Sequence, residues 1–389
     1  MRTHLATVVV SSILLFLSTS AEAFTRNFDI CFKYDVEFSN AAQGDYYENN
    51  AVDQKAYGIH AIFTDITDSG NPITVKSDYT DFDGCVNLNL DTAKTYRIKL
   101  TAKAQLHNSN YIYAKSAYEG GVQHTQIVAT AFHPPISGDA GPFVYSYNST
   151  WKVSNVMAAA GFSVDRRPAG VSGHSVYYYT EPCDPLEPDS ACHRSEQGCF
   201  LGAGCRDNKF CVSHETGHDL LDERKFNVDH HNTYLLNDPD CPCVNNGNIC
   251  DHRYHSLEWK SAAVWEGFAD FYGSAAWNDA AYPDDCEYGS NDCGTSGSYI
   301  TTVPCCVDSD CDGKGVEGDV TNFLWDLYTA VELTLSEIAD IYVWSDTPNW
   351  VQETIYEDLM ESAVETLSYL GQNDWDGYAS DNGVDYGEE

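Results

Sequence analysis

The chain has 389 residues, and its 59 acidic and 21 basic residues give a formal net charge of −38. Nucleic acids and anionic membranes carry negative charge themselves, so this composition disfavours both as partners. The length is sufficient for two domains. We therefore predict an acidic protein without a nucleic-acid partner.

The N-terminus has the pattern of a secretory signal peptide. Arg2 precedes an apolar run over residues 5–17, and Ala21-Glu22-Ala23 matches an A-x-A cleavage site. We predict that residues 1–23 form a signal peptide and that the protein is secreted, with a periplasmic location as the alternative. The other long apolar stretch, residues 323–343, contains four acidic residues, so we expect no membrane anchor.

The cysteines indicate a disulfide-rich protein. Fifteen cysteines in an oxidising compartment are expected to form disulfides. Cys31 and Cys85 stand apart in the N-terminal part and are candidates to pair with each other. The alternative for part of the remaining set is a zinc site built from Cys241, Cys243, Cys250, His252 and His255.

Residues 24–106 alternate apolar and polar side chains, as is typical of β-strands. In the clearest strand, Arg97, Lys99 and Lys103 lie on the face opposite to the apolar residues. Short strands separated by Gly/Asp turns predict an accessory β-sandwich over residues 24–106. Residues 107–150 have weaker periodicity and several Gly and Pro residues, and they predict a connector with some strand.

Residues 151–389 are expected to form a further domain that contains both helices and strands. Apolar residues with helical spacing predict a helix that begins near Val153, and residues 175–180 predict a strand. Three consecutive tyrosines, residues 177–179, either line a substrate cleft or pack in the core.

His214-Glu215-Thr216-Gly217-His218 is an H-E-x-x-H motif. On a helix, residues four apart share one face, so the imidazoles of His214 and His218 can hold one metal ion. Glu215 lies beside them, where it can act as general base toward a water activated by zinc. The alternative is a chance match on a surface helix.

Catalytic zinc sites usually have a third protein ligand. Glu266 and Asp270 are four residues apart, on one face of a helix predicted over about residues 256–277. Glu266 can bind the metal, and Asp270 can accept the remaining N–H of a ligating histidine. The large apolar neighbours favour this hypothesis over two solvated acids, because carboxylates are costly on such a helix.

H-E-x-x-H followed by E-x-x-x-D resembles the gluzincin metallopeptidases, the group that includes thermolysin. The resemblance implies His214, His218 and Glu266 as zinc ligands, Glu215 as general base, and Asp270 as the support of a ligating histidine. It also implies a two-lobed zincin-like domain, a zinc cofactor, and a peptide or protein substrate. A neighbouring alternative is an aspzincin-like site with Asp270 as the third ligand.

Catalysis at such a site also requires a donor for the oxyanion, and His174, His255 and Tyr299 are the candidates. Residues 308–319 begin with the D-x-D-x-D-G pattern of a calcium loop. Calcium is thus a second candidate cofactor, with the candidate ligands Asp308, Asp310, Asp312 and Asp319. The alternative is an acidic disulfide loop whose last residue caps the next helix.

Two apolar stripes, at residues 320–331 and 351–367, predict helices in a second lobe that begins at about residue 278. Residues 373–389 are rich in Asp and Gly and predict a mobile acidic tail. The sequence as a whole predicts a disulfide-rich α+β protein that acts as a secreted zinc metallopeptidase. The alternative function is a secreted, non-catalytic adhesion or binding protein with a structural metal site.

Overall fold

The computed structural model describes residues 24–39, 54–106, 110–138, 140–148, 152–165, 175–225, 260–283, 286–288, 291–292, 317–345, 355–367, 369–382 and 384. Its strands are β1 (Thr25–Tyr34), β2 (Gln54–Lys55), β3 (Ile59–Asp65), β4 (Ile73–Tyr79), β5 (Cys85–Asp91), β6 (Tyr96–Gln105), β7 (Tyr111–Lys115), β8 (Thr125–Phe132), β9 (Phe143–Tyr147), β10 (Ser175–Tyr179), β11 (Ala191–Arg194), β12 (Gly198–Leu201), β13 (Glu287–Tyr288) and β14 (Asn291–Asp292). Its helices are α1 (Val153–Asp165), α2 (Ala203–Arg206), α3 (Lys209–Lys225), α4 (Lys260–Trp277), α5 (Glu317–Thr329), α6 (Leu335–Trp344), α7 (Ile355–Thr366) and α8 (Gln372–Asp381).

The predicted α+β class with disulfides is confirmed, and two sheets contain most of the described strands. In the smaller sheet, β1 pairs antiparallel with β2 and β5 and parallel with β9. In the larger sheet the strand order is β11-β12-β10-β7-β6-β3-β4, and β8 also pairs with β6. β11 therefore lies at one edge of the larger sheet as described.

The two sheets face each other across a first hydrophobic core. Phe28 and Phe32 of β1 are each 1% exposed. Their rings lie 6.4 Å from those of Phe132 and Phe63, respectively, in the larger sheet. Burial of one such side chain contributes about 1.5–3 kcal/mol. The alternation of residues along these strands is what directs the aromatic rings inward.

Disulfides close the strands and loops of this part. Cys31–Cys85 joins paired positions of β1 and β5, which confirms the predicted pair. Cys183–Cys192 joins β11 to the loop that precedes it, and Cys205–Cys211 joins α2 to α3. The five residues of the alternative cysteine–histidine zinc site lie outside the described residues.

The segment predicted as a connector contributes β7, β8 and β9. β7 pairs in parallel with β10, with Tyr113 opposite Tyr177. The larger sheet thus contains strands from all three predicted segments, and the predicted boundaries at residues 106 and 150 fall inside a region joined by strand pairing. The pattern of residues within β7, which has only five residues, does not indicate which distant strand it pairs with.

α1 and α3 cover the inner face of the larger sheet, and α4 packs against both α3 and α5. Gly217 allows the close approach of α3 and α4, since a Cβ atom there would lie 2.9 Å from Cα of Ala269. A second hydrophobic core lies among α3 to α8. There the rings of Phe268 and Tyr342 are 4.8 Å apart. Of the helices described, none has both the length and the apolar composition needed to cross a membrane.

The C-terminal part differs from the mobile acidic tail predicted from residue 373. Gln372–Asp381 forms a helix, and Trp375 is 1% exposed. Its indole contacts the ring of Phe323 on α5, with centroids 4.7 Å apart. The prediction of a mobile tail was based on the acidic composition of this segment. In the structure, Trp375 and Ala379 pack in the second core and hold the helix there.

Candidate metal centre

Three donor atoms converge between α3 and α4. Nε2 of His214 and Nε2 of His218 are 3.0 Å apart. Oε2 of Glu266 lies 3.1 Å from the first nitrogen and 2.7 Å from the second. The two histidines lie one turn apart on α3, and Glu266 comes from α4. The three predicted ligands therefore form a His–His–Glu group that can hold a metal ion.

The chemistry of the group fits a divalent transition metal. Two imidazoles and one carboxylate are a common donor set for zinc. Zinc bonds of about 2.0–2.2 Å place the donors of one tetrahedral ion roughly 3.3–3.6 Å apart, so a small outward shift from the separations of 2.7, 3.0 and 3.1 Å would accommodate the ion. Imidazole and carboxylate donors also suit other divalent transition metals.

The second nitrogen of His214 is held by neighbouring polar groups. Nδ1 of His214 lies 2.6 Å from Oδ1 of Asp270, and Asp270 is 3% exposed. The Tyr288 hydroxyl lies 3.2 Å from the same nitrogen. With Nδ1 donating to Asp270, Nε2 is left as an acceptor that faces His218 and Glu266. Asp270 thus contacts the histidine in the way predicted for it.

Packing orients His218. Its ring stacks on the indole of Trp265, with centroids 5.6 Å apart and planes 18° from parallel. Burial lowers the pKa of His218 to about 4, although Glu266 opposes this shift. The imidazole is therefore neutral at ordinary pH, which is the form that binds a metal.

The pKa values of His214 and Asp270 reflect burial and mutual attraction. Burial alone would lower the pKa of His214, but the Asp270 and Glu266 carboxylates outweigh it and raise that pKa well above its usual value. Burial raises the pKa of Asp270, and the nearby His214 offsets this only in part. Each group compensates the charge of the other inside the protein.

Glu215 follows His214 on α3 and is buried. Only 3% of the surface of Glu215 is exposed. Its backbone carbonyl accepts a hydrogen bond from Sγ of Cys199, at 3.4 Å. Glu215 also interacts electrostatically with His193 of β11, so the edge strand of the larger sheet lies near the predicted base.

His193 links β11 to α3. Its Nε2 lies 3.5 Å from Oδ1 of Asp219, and its Nδ1 lies 3.6 Å from Oδ2 of Asp222. Burial lowers the pKa of His193, but the two carboxylates outweigh burial, so the net shift is upward. Sequence analysis missed both His193 and Tyr288, because each stands in a cysteine-rich segment without a motif of its own.

Several predicted residues lie outside the part of the chain that the structure describes. These are the calcium candidates Asp308, Asp310 and Asp312 and the oxyanion candidates His174, His255 and Tyr299. Asp319 is described, lies in the first turn of α5, and is 0% exposed. Its neighbour Glu317 raises the pKa of Asp270. The calcium hypothesis stays a prediction.

No protein-family model matches the chain, and no curated protein is significantly similar to it. The similarity to gluzincins therefore depends on the residues of the two motif helices.

Proposed function

We propose that the protein is a secreted zinc metallopeptidase of the gluzincin type. The observation that carries the proposal is the convergence of His214, His218 and Glu266 on one point, with Asp270 behind His214. A structural metal site needs ligands only. The buried Glu215, next to His214 on α3, would supply a base, which favours catalysis over the non-catalytic alternative.

The residues of the site have distinct roles in this proposal. When bound, zinc lowers the pKa of a coordinated water from about 15.7 to about 7 and polarises a carbonyl group. Glu215 accepts the proton of the attacking water and delivers it to the leaving amine. Asp270 keeps the proton of His214 on Nδ1, so that Nε2 stays available as a donor atom.

The proposed substrate is an extended peptide that adds to the edge of the larger sheet. β11 is the outermost described strand at one end of that sheet, and its His193 contacts α3. Extended peptides often bind by strand addition, through backbone hydrogen bonds. In the proposed two-lobed domain, α5 to α8 would form the lobe on the other side of the cleft.

The test is the substitution Glu215→Gln in the zinc-loaded protein. We expect it to keep about one zinc per chain and to lose hydrolysis of an unfolded protein substrate by roughly 10²–10⁴-fold, the usual contribution of a general base. Metal content and turnover are measured on the same samples. The control is Glu361→Gln, the same change at an exposed position of α7, which should alter neither quantity.

Two outcomes would count against the proposal. A zinc-loaded parent without hydrolysis would favour the non-catalytic binding protein. A Glu215→Gln variant with unchanged turnover would remove Glu215 from the mechanism.

A further inference from the structure

The outer face of the larger sheet differs in composition from the rest of the chain. β6, β7 and β10 contain no acidic residue, and four of their residues are basic. Across the whole chain, by contrast, acidic residues outnumber basic ones by 59 to 21. Alternating residues of these strands, such as Leu100, Ile112 and Val176, are 0% exposed and face the core. The basic residues and most tyrosines therefore share the opposite face.

We name this surface the tyrosine–lysine face and define it by Tyr79, Lys99, Lys103, Tyr113, Lys115 and Tyr177. Strand register brings these residues side by side: Lys103 lies opposite Tyr113, and Tyr113 lies opposite Tyr177. The face crosses the sheet from β4 to β10. It lies on the other side of the sheet from α3 and the metal centre.

The tyrosine rings of this face stand beside one another. The rings of Tyr113 and Tyr177 are stacked, with centroids 4.9 Å apart and planes 15° from parallel. Tyr111 continues the row on one side of Tyr113, and Tyr179 continues it beside Tyr177. Because the stacked rings of Tyr113 and Tyr177 cover each other's inner faces, this pair presents mainly ring edges and hydroxyl groups to a ligand.

Two of the three lysines of the face, Lys103 and Lys115, lie among these rings. Nζ of Lys103 lies 5.3 Å from the ring centroid of Tyr113, and Nζ of Lys115 lies 4.5 Å from that of Tyr177. Within the described residues, neither they nor Lys99 form an ion pair with a carboxylate. Other lysines of the protein do form such pairs, at Lys55, Lys76, Lys94 and Lys152.

The donors on this face select a class of ligand. Ammonium and phenol groups donate hydrogen bonds, and a carboxylate accepts them with a gain from charge. A neutral sugar would gain nothing from the positive charge of the lysines, and the six residues that define the face include no carboxylate that could accept hydrogen bonds from its hydroxyls. A nucleic-acid duplex, with one charge per about 1.7 Å of its axis, would be repelled by the acidic remainder of the protein more strongly than an extended acidic peptide, which has at most one charge per residue or about 3.3 Å.

We propose that the tyrosine–lysine face binds an extended acidic polypeptide through Lys99, Lys103, Lys115 and the neighbouring tyrosine hydroxyls. The charge of the face is complementary to such a ligand, and its row of donors crosses several strands. This binding site is separate from the metal centre. It does not depend on the proposed peptidase activity.

The test is binding of a fluorescently labelled oligo-glutamate peptide at low salt, measured by anisotropy on the full chain. We expect substitution of all three lysines of the face by Gln to weaken binding about tenfold or more, since each exposed ion pair contributes a few tenths to about 1 kcal/mol. The control is the triple Lys→Gln variant at Lys55, Lys76 and Lys152, which has the same net charge. It should bind like the parent.

Further variants keep the outcome decisive. Lys→Arg at the three positions of the face should retain binding, because the charge and the contact with the rings are kept. Lys99→Glu serves if the triple Gln variant does not fold, since Lys99 makes no ring contact within the described residues. It should weaken binding by itself.

The proposal is overturned if the parent does not bind oligo-glutamate at low salt, or if the face and control variants bind it equally. It is also overturned if alginate, an acidic polysaccharide, binds the face more tightly than oligo-glutamate does. That result would assign the face to a different class of ligand.

Discussion

His214 is contacted by two carboxylates that do different work. Glu266 lies 3.1 Å from Nε2, the nitrogen that faces the other donors, whereas Asp270 lies 2.6 Å from Nδ1 on the far side of the ring. A group that touches the ion directly is expected to matter more for metal affinity than one that orients a ligand. Removal of Glu266 and removal of Asp270 should therefore lower the metal affinity to different extents.

We expect Glu266→Ala to lose most of the bound metal, because one of three donor atoms disappears. Asp270→Ala should weaken metal affinity by about 10–100-fold, the usual effect of removing the partner of a ligating histidine. Competition with a chromophoric chelator measures both affinities. The reverse order would favour the aspzincin-like alternative, in which Asp270 is the third ligand.

His193 should make the stability of the protein depend on pH. Its pKa is raised in the folded state, so its contribution is fully present below the unfolded value of about 6.5 and is lost as the pH rises through the folded value. We expect His193→Gln to reduce the free energy of unfolding by about 1–2 kcal/mol at about pH 5. The loss should be smaller at about pH 9.

Urea unfolding of parent and variant at the two pH values checks this prediction. The comparison isolates His193, because both proteins contain the same metal ligands and the same carboxylates at Asp219 and Asp222. An equal loss at both pH values would mean that packing, and not charge, accounts for the effect of the substitution.

At the scale of elements, the packing of α3 on α4 determines the geometry of the donor group. The histidines come from one helix and Glu266 from the other, so the distance between the helices sets the distance between the donors. Gly217 lies at this contact, where a Cβ atom would also lie 3.1 Å from Cβ of Tyr272. The second variable position of the H-E-x-x-H motif is therefore constrained by packing in this chain.

Gly217→Ala tests the closeness of the two helices, because two effects of the substitution oppose each other. Alanine favours a helix over glycine by about 1 kcal/mol. Overpacking against the backbone of Ala269 costs about 1–3 kcal/mol. We expect net destabilisation in urea together with weaker metal binding, since α4 must move away from α3.

The control for this prediction is Gly377→Ala in α8, where a Cβ atom would meet nothing within 4 Å. That variant should be more stable than the parent by up to about 1 kcal/mol, with unchanged metal affinity. Stabilisation by Gly217→Ala to the same extent would show that the helices can separate without cost.

At the scale of the whole molecule, local patterns predicted the elements better than their arrangement. The alternation of β1 and β6 and the apolar stripe of α5 identified these elements from the sequence. The pairing of β7 with β10 was missed, because it joins residues more than sixty positions apart. The hydrophobic pattern of short strands predicts strands but not their partners. The acidic composition of the C-terminal segment led to the prediction of a mobile tail, whereas burial of Trp375 holds its helix against the second core.

The candidate site shows the same division. Spacing of four within a helix predicted that His214 would lie beside His218, and Glu266 above Asp270, because helical geometry is local. The predicted approach of the two helices came from the family resemblance. Tyr288 and His193 reach the site through tertiary packing, so no spacing in the sequence pointed to them.

Both cores depend on the two helices that carry the donor group. Phe210 of α3 and Trp277 of α4 lie in the first core, while Leu220 and Phe268 of the same helices lie in the second. The donors sit between α3 and α4, where buried polar groups without an ion are costly. A bound metal ion should therefore stabilise the whole molecule and not only its site.

We expect removal of the metal by a chelator to lower the melting temperature by several degrees. The expected loss of unfolding free energy follows mass action and is about 4.1 kcal/mol when free metal exceeds the dissociation constant a thousandfold. Readdition of zinc should restore the transition. The double variant His214→Ala and His218→Ala should melt at the same temperature with and without chelator. If the parent demonstrably loses its metal and its melting temperature does not change, the donor group between α3 and α4 is not where the ion binds.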